Sequence, residues 1–113
     1  MFQIYHNPRC RISRQVLEKL QNTGDDIEVI EYLKNVPSIQ ELKVLLMKLN
    51  LKPQQIIRTE EKLFKLNFKG KKFTEEEWLQ ILHENPLLIE RPIVVRKNKA
   101  IICRPSEKVE EII

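Results

Sequence analysis

The strongest constraint on the fold is the order of patterns at the start of the chain. Phe2-Gln3-Ile4-Tyr5 alternates briefly and stops at the turn signal His6-Asn7-Pro8. Residues 13–21 then carry Val16, Leu17 and Leu20 at helical spacing, Asn22-Thr23-Gly24 breaks the pattern, and residues 27–32 read as a second strand. Strand, helix, strand is a β-α-β unit, and such units join parallel strands through a right-handed crossover. A sheet with a helix on its face therefore underlies whatever follows.

The middle of the chain is helical. Ser38-Ile39-Gln40-Glu41 is a capping box, in which hydroxyl and carboxylate each satisfy an orphan amide, and Leu42, Leu45, Leu46 and Leu49 follow as an apolar stripe. A second capping box, Thr74-Glu75-Glu76-Glu77, opens a helix with Trp78, Ile81 and Leu82. Between them lie Pro53, Arg58-Thr59 and the basic Lys69-Gly70-Lys71-Lys72. After Asn85-Pro86, residues 92–95 and 100–103 form two short strands joined by Arg96-Lys97-Asn98-Lys99, an antiparallel hairpin, and residues 106–113 close the chain as a helix. The expected fold class is α/β: one domain over 1–113 with a mixed four-stranded sheet and a helical insertion over about 38–84.

Length and composition agree with one soluble globular domain. The chain has 113 residues, 42% hydrophobic and 32% charged, with two glycines, so neither disorder nor a fibre fits. No run approaches the ~18–20 apolar residues of a membrane span, and the first residues show neither a basic segment nor a long apolar one. A cytoplasmic monomer is the expectation. The net charge of +4 comes from cations scattered among acids, so binding to nucleic acid is not expected. Cys10 and Cys103 stand near opposite ends of the chain, and in a reducing compartment their chemistry is that of thiols rather than of a structural disulfide. No His/Cys cluster has zinc spacing, so no metal is expected.

His6-Asn7-Pro8-Arg9-Cys10-Arg11-Ile12-Ser13-Arg14 places Cys10 where the first strand hands over to the first helix. Helix N-terminal amides favour a negative charge there, and His6, Arg11 and Arg14 add positive charge nearby, the setting in which a thiol pKa falls. Cys10 is thus either a nucleophile or, as free cysteines often are, a small buried hydrophobe. Arg58, Arg91 and Arg104 each follow an apolar run. A permanently charged fork among inward-facing neighbours calls for an anion or a carboxylate. They either converge on one oxyanion or remain separate surface charges.

Taken together, Tyr5-His6-Asn7-Pro8-Arg9-Cys10 with Ser13-Arg14, Ile57-Arg58-Thr59-Glu60-Glu61, residues 88–95 and Cys103-Arg104-Pro105 resemble the glutaredoxin-coupled arsenate reductases of the ArsC family, in order and over nearly the whole chain. The resemblance implies a thioredoxin-like fold and reduction of arsenate to arsenite by glutathione and glutaredoxin, with glutathione as co-substrate and no bound cofactor. It makes Cys10 the nucleophile, with His6 helping to hold the thiolate. Arg58, Arg91 and Arg104 become the oxyanion ligands, Asn7, Arg11, Ser13 and Arg14 a supporting loop, and Arg91-Pro92 a cis-proline facing that loop. Arg11 departs from the small residue many relatives carry beside the nucleophile. The loop holds one cysteine, so the resolving thiol is external, and Cys103 is assigned to packing. Two alternatives share the fold: an Spx-type regulator that binds RNA polymerase, against which Ser13 in place of a second cysteine weighs, and a glutathione-dependent thiol reductase with another substrate.

Overall fold

The computed structural model describes all 113 residues and divides the chain into two compact units, Met1–Asn35 with Arg91–Ile113, and Val36–Glu90. The first unit holds the sheet: β1 (Phe2–Tyr5), β2 (Ile27–Ile30), β3 (Ile93–Arg96) and β4 (Lys99–Ile102), in the order β2-β1-β3-β4. β1 and β2 are parallel, and β1 pairs antiparallel with β3, as β3 does with β4, so the sheet is mixed as expected. The crossover between the parallel strands is α1 (Arg11–Gln21), whose apolar face buries Val16 and Leu20. These two join Phe2, Ile4, Val94, Cys103, Val109 and Ile112 in one core. Burial of each aliphatic side chain contributes about 1.5–3 kcal/mol, so the face of the first β-α-β unit and the C-terminal hairpin stabilise each other. Gly24, with φ +80, turns the chain from α1 into β2, a backbone state that a residue with a Cβ adopts only at a cost.

Several boundaries differ from the sequence reading. α1 begins at Arg11 rather than at 13, because Cys10 takes the N-cap position directly after the turn at Pro8-Arg9. β2 stops at Ile30, where its pairing with β1 runs out; Glu31 then accepts from the Lys34 and Asn35 amides in a turn, and Tyr32 is fully buried outside the sheet. The hairpin connection is tighter than expected, since Arg96 pairs with Lys99 and only Lys97-Asn98 form the turn, with Lys97 at φ 55. The last element is a 3-10 helix, Ser106–Glu111, rather than an α-helix running to the end of the chain.

The second unit contains α2 (Ile39–Leu49), α3 (Lys62–Asn67) and α4 (Glu75–Glu84), with 3-10 turns at Pro53–Ile56 and Pro86–Leu88. Both capping boxes form: Ser38 and Glu41 exchange bonds of 3.0 Å, and Thr74 and Glu77 bonds of 2.8 and 3.1 Å. Leu42, Leu45 and Leu46 are buried along α2, and Trp78, Leu79, Ile81 and Leu82 along α4, whereas Leu49 of the expected stripe is only half-buried. α3 has no counterpart in the sequence reading. It is six residues long and buries none of them fully, so its apolar signal is weak; it is anchored by Phe64, which stacks with Trp78 at a centroid distance of 6.4 Å, and by Phe68, tilted against the same ring at 6.5 Å. No helix is long and apolar enough to cross a membrane.

Candidate active site

The loop after β1 is organised by Asn7, which is buried. Its side-chain oxygen accepts from the Arg9 amide at 3.0 Å, its carbonyl accepts from the Cys10 amide at 3.0 Å, and its own amide donates to Ser13 Oγ at 3.1 Å. Arg14 ties the other side of the loop by donating from Nη1 to the Pro8 carbonyl at 2.9 Å. With the loop closed in this way, Cys10 sits at the N-cap of α1 with its own backbone still extended.

Two arginines from the C-terminal half reach that sulfur. Arg104 donates from Nη1 to Cys10 Sγ at 3.7 Å and to the Arg91 carbonyl at 3.2 Å, so one guanidinium links the Cys10 sulfur to the segment entering β3. Burial pushes the Cys10 thiol up, but the Ser13 amide, the Arg104 and Arg91 side chains and the Arg91 charge lower it by more, and the thiol lies below its ordinary value. The Ser13 N–H is one of the orphan amides of the first turn. It acts on the sulfur without forming a cap hydrogen bond of ordinary geometry. Thiolate stabilisation by a helix start and cations is thus present, with the cations supplied from the far end of the chain.

His6 plays a different part from the positive charge assigned to it from sequence. It is buried, and burial lowers its pKa; Glu31 raises it and Arg14 lowers it further, with a net downward shift. At neutral pH the imidazole is therefore uncharged. Its Nδ1 lies 2.8 Å from Ser13 Oγ, which also accepts the Asn7 amide. Ser13 is fully buried, so His6 fixes the residue whose backbone N–H acts on Cys10. Arg11 is exposed and stands at the first position of α1 beside Cys10. The peptide bond between Arg91 and Pro92 is cis, as is that between Arg104 and Pro105; the Pro92 carbonyl accepts the Cys103 amide at 2.9 Å.

The structure thus brings Cys10, His6, Asn7, Ser13, Arg91 and Arg104 together within the first unit. Arg58 belongs to the second unit, where its Nη1 is 2.9 Å from Glu61 and its Nε 3.3 Å from Glu90. An antiparallel bridge of Ile57 with Ile89 sets this arrangement, with the Arg58 amide donating to the Leu88 carbonyl at 2.7 Å. Neither carboxylate was assigned a role from sequence, although Glu61 stands at the i+3 spacing from Arg58 that favours an ion pair. Cys103 is fully buried, and burial with the nearby Glu111 charge pushes its thiol up to about 12, so it is packing rather than chemistry.

With this geometry in place, comparison with known proteins is decisive: the ArsC family model matches residues 5–112. The chain belongs to the ArsC family. This ArsC-family chain is 39% identical to an arsenate reductase of Acidiphilium multivorum over 111 residues, 97% of this chain and 79% of that protein. It is 42% identical to the uncharacterized protein YfgD of Escherichia coli strain K12, covering 94% of its length. An arsenate reductase structure from Vibrio cholerae superposes with a TM-score of 0.93 at 41% identity, covering 99% of this chain and 97% of that one. The α/β architecture is accordingly the thioredoxin-like fold of ArsC arsenate reductases.

Proposed function

We propose that this ArsC-family chain is an arsenate reductase, using glutathione as co-substrate and glutaredoxin as the partner that completes reduction. The observation that carries the reading is the Arg104 guanidinium at 3.7 Å from a Cys10 sulfur whose pKa is lowered. A nucleophile already held by forked donors is suited to a tetrahedral oxyanion, because the donors that stabilise the thiolate also meet the oxygens around arsenic. A peptide disulfide would leave those charges without partners. Names carried by relatives with 39% identity point the same way.

In this reading the Cys10 thiolate attacks arsenic and one arsenate oxygen leaves as water, with arsenic still pentavalent. Glutathione adds through its thiol as a second water leaves, giving arsenic bound to both sulfurs. A glutaredoxin thiolate then attacks the glutathione sulfur. The As–S bond to glutathione breaks, its electron pair stays on arsenic, and a glutaredoxin–glutathione disulfide departs. Arsenic is now trivalent, and water releases it from Cys10 as arsenite. Two thiols supply the two electrons, and the protein needs no bound cofactor.

Arg91 and Arg104 bind the oxyanion and its sulfur-bound intermediates, with Arg58 as the third arginine. Glu61 and Glu90 form ion pairs with Arg58 at 2.9 and 3.3 Å, and in this reading its guanidinium also faces the anion. His6, Asn7, Ser13 and Arg14 position the loop, and Pro92 shapes its facing wall. The enzyme is assigned to the cytoplasm as a monomer. Arsenate-dependent NADPH oxidation, coupled through glutathione, glutaredoxin and glutathione reductase, is the test. Absence of turnover with all components present refutes the reading, and stoichiometric recovery of RNA polymerase in a pull-down would replace it with the regulator.

A further inference from the structure

A groove of about 510 Å³ opens beside the Cys10 sulfur, and its lining includes Cys10, Arg11, Arg104 and Glu107. Three arginines stand in the loop that leads into it, and each has a different place. Arg14 is engaged, donating to the Pro8 carbonyl at 2.9 Å. Arg9 is exposed and lies outside the groove lining. Arg11 alone of the three lines the groove, and it makes no ion pair or side-chain hydrogen bond within the chain.

Local physics disfavours a cation at this position. Arg11 is the first residue of α1, where the partial positive charge of a helix terminus favours acids. α2 and α4 follow that preference, with Glu41 in one first turn and Glu75, Glu76 and Glu77 in the other, whereas the first turn of α1 holds no acid. An unpaired guanidinium there adds nothing to the helix, so its effect falls on what enters the groove.

The charges of the lining show what that effect is. With Cys10 as thiolate, Arg11 and Arg104 balance Cys10 and Glu107. Without Arg11 the lining would hold one negative charge in excess, and an arriving anion would be repelled from the sulfur it must meet. Charges in a cleft act on an approaching ligand more strongly than charges on an open surface. We infer that Arg11 is a specificity-determining residue at the entrance to Cys10, one whose charge admits anionic partners in preference to neutral ones and passes the oxyanion on to Arg91 and Arg104. The inference rests on the arsenate reductase reading for the identity of the anion, and on the groove alone for the selection. Because Arg11 acts as an exposed charge rather than as a fork closed on the anion, Lys serves there nearly as well, unlike at Arg91 and Arg104.

The test reads the selection without arsenate. Iodoacetate and iodoacetamide alkylate a thiolate by the same displacement of iodide, but the first is an anion and the second is neutral. The ratio of their rates at Cys10, followed by mass spectrometry of the whole protein at low salt, cancels any change in thiolate fraction. Arg11→Gln should lower this ratio about fivefold, the effect of one unit charge about 4 Å from the arriving anion in water. Arg11→Lys should keep most of it, and Arg9→Gln, which removes the same charge outside the groove, should leave it as in the parent. Added salt should bring the parent ratio down toward that of Arg11→Gln. A ratio that Arg11→Gln leaves in place, or that Arg9→Gln lowers equally, overturns the inference. Arg11→Gln should also unfold at or above the parent temperature, since a cation leaves the helix start; a loss of stability would make Arg11 structural and overturns it as well. In turnover the same variant should raise the KM for arsenate about fivefold, the same single charge, with kcat as in the parent, and an unchanged KM overturns the inference. If the alkylation ratio falls as expected and the parent does not reduce arsenate, the selection stands and only the arsenate reading fails.

Discussion

Arg104 donates to the sulfur of Cys10 at 3.7 Å across 94 positions of sequence, and the same nitrogen donates to the carbonyl of Arg91 at 3.2 Å. The link exists because β1 pairs antiparallel with β3 and β3 with β4, which sets the end of β1, the entry to β3 and the exit from β4 at one end of the sheet. The pairing of the Cys10 sulfur with its counter-charge is thus a product of topology rather than of a local motif.

Cys10 should alkylate with iodoacetamide at a lower pH than a free thiol, and Cys103 should not react in the folded protein. Replacing Arg104 with Ala should move the Cys10 profile upward, since a donor to the thiolate is lost. A titration that matches a model thiol, or that Arg104→Ala leaves in place, contradicts the site as described.

The same shift has a consequence for stability. With a folded pKa below the unfolded value of about 8.5, Cys10 contributes stability that is full above the unfolded value and lost as pH falls through the folded one. Unfolding free energy should therefore rise with pH across that interval, and Cys10→Ser should remove the slope. His6 acts in a separate window. Its lowered pKa means that acidification from about 6.5 downward favours the unfolded chain, which takes up the proton more readily. Chemical denaturation from pH 5 to 9 in parent and His6→Gln proteins resolves both; a flat profile in the parent contradicts the assignment.

Ser13→Ala keeps the backbone N–H but removes the hydroxyl that receives Asn7 and meets His6. The Cys10 pKa should rise and turnover should fall while the unfolding transition remains cooperative. Ser13→Thr, which keeps the hydroxyl, should restore part of the lost activity. Equal behaviour of the two variants would show that the hydroxyl does not position the loop.

Arg91→Ala and Arg104→Ala should each weaken arsenate binding by about 1.5–3 kcal/mol, the range for hydrogen bonds to charged groups. Lys at either position should recover only part, because charge returns without the fork. Arg58→Ala should in addition destabilise the protein, since it leaves Glu61 and Glu90 without their shared cation. Isothermal titration with arsenate and thermal unfolding measure the two effects, and an Arg58 variant that loses stability with binding intact removes Arg58 from the anion site.

Much of this was legible in the residues. The β-α-β opening, both capping boxes and the C-terminal hairpin were readable because each depends on contacts within a few positions. What was not legible depends on packing from a distance. α3 is held by Phe64 and Phe68 against Trp78 rather than by its own apolar stripe. The neutrality of His6 follows from burial, which its neighbours in sequence do not reveal. Glu90 as a partner of Arg58 requires the bridge of Ile57 with Ile89, and Gln15, Ser106 and Glu107 line a groove beside Cys10 that exists only once α1 packs against the C-terminal segment.

The most direct test of the central claim is the amount of arsenite released when the protein is supplied with arsenate, glutathione and reduced glutaredoxin, measured chemically in parent and Cys10→Ser proteins side by side. The account predicts multiple turnovers by the parent and none above the uncatalysed background by Cys10→Ser, which should fold normally because the hydroxyl is nearly isosteric with the thiol but not ionised at neutral pH. Arsenite release that survives the loss of the Cys10 sulfur, or a parent protein that releases none, would contradict it.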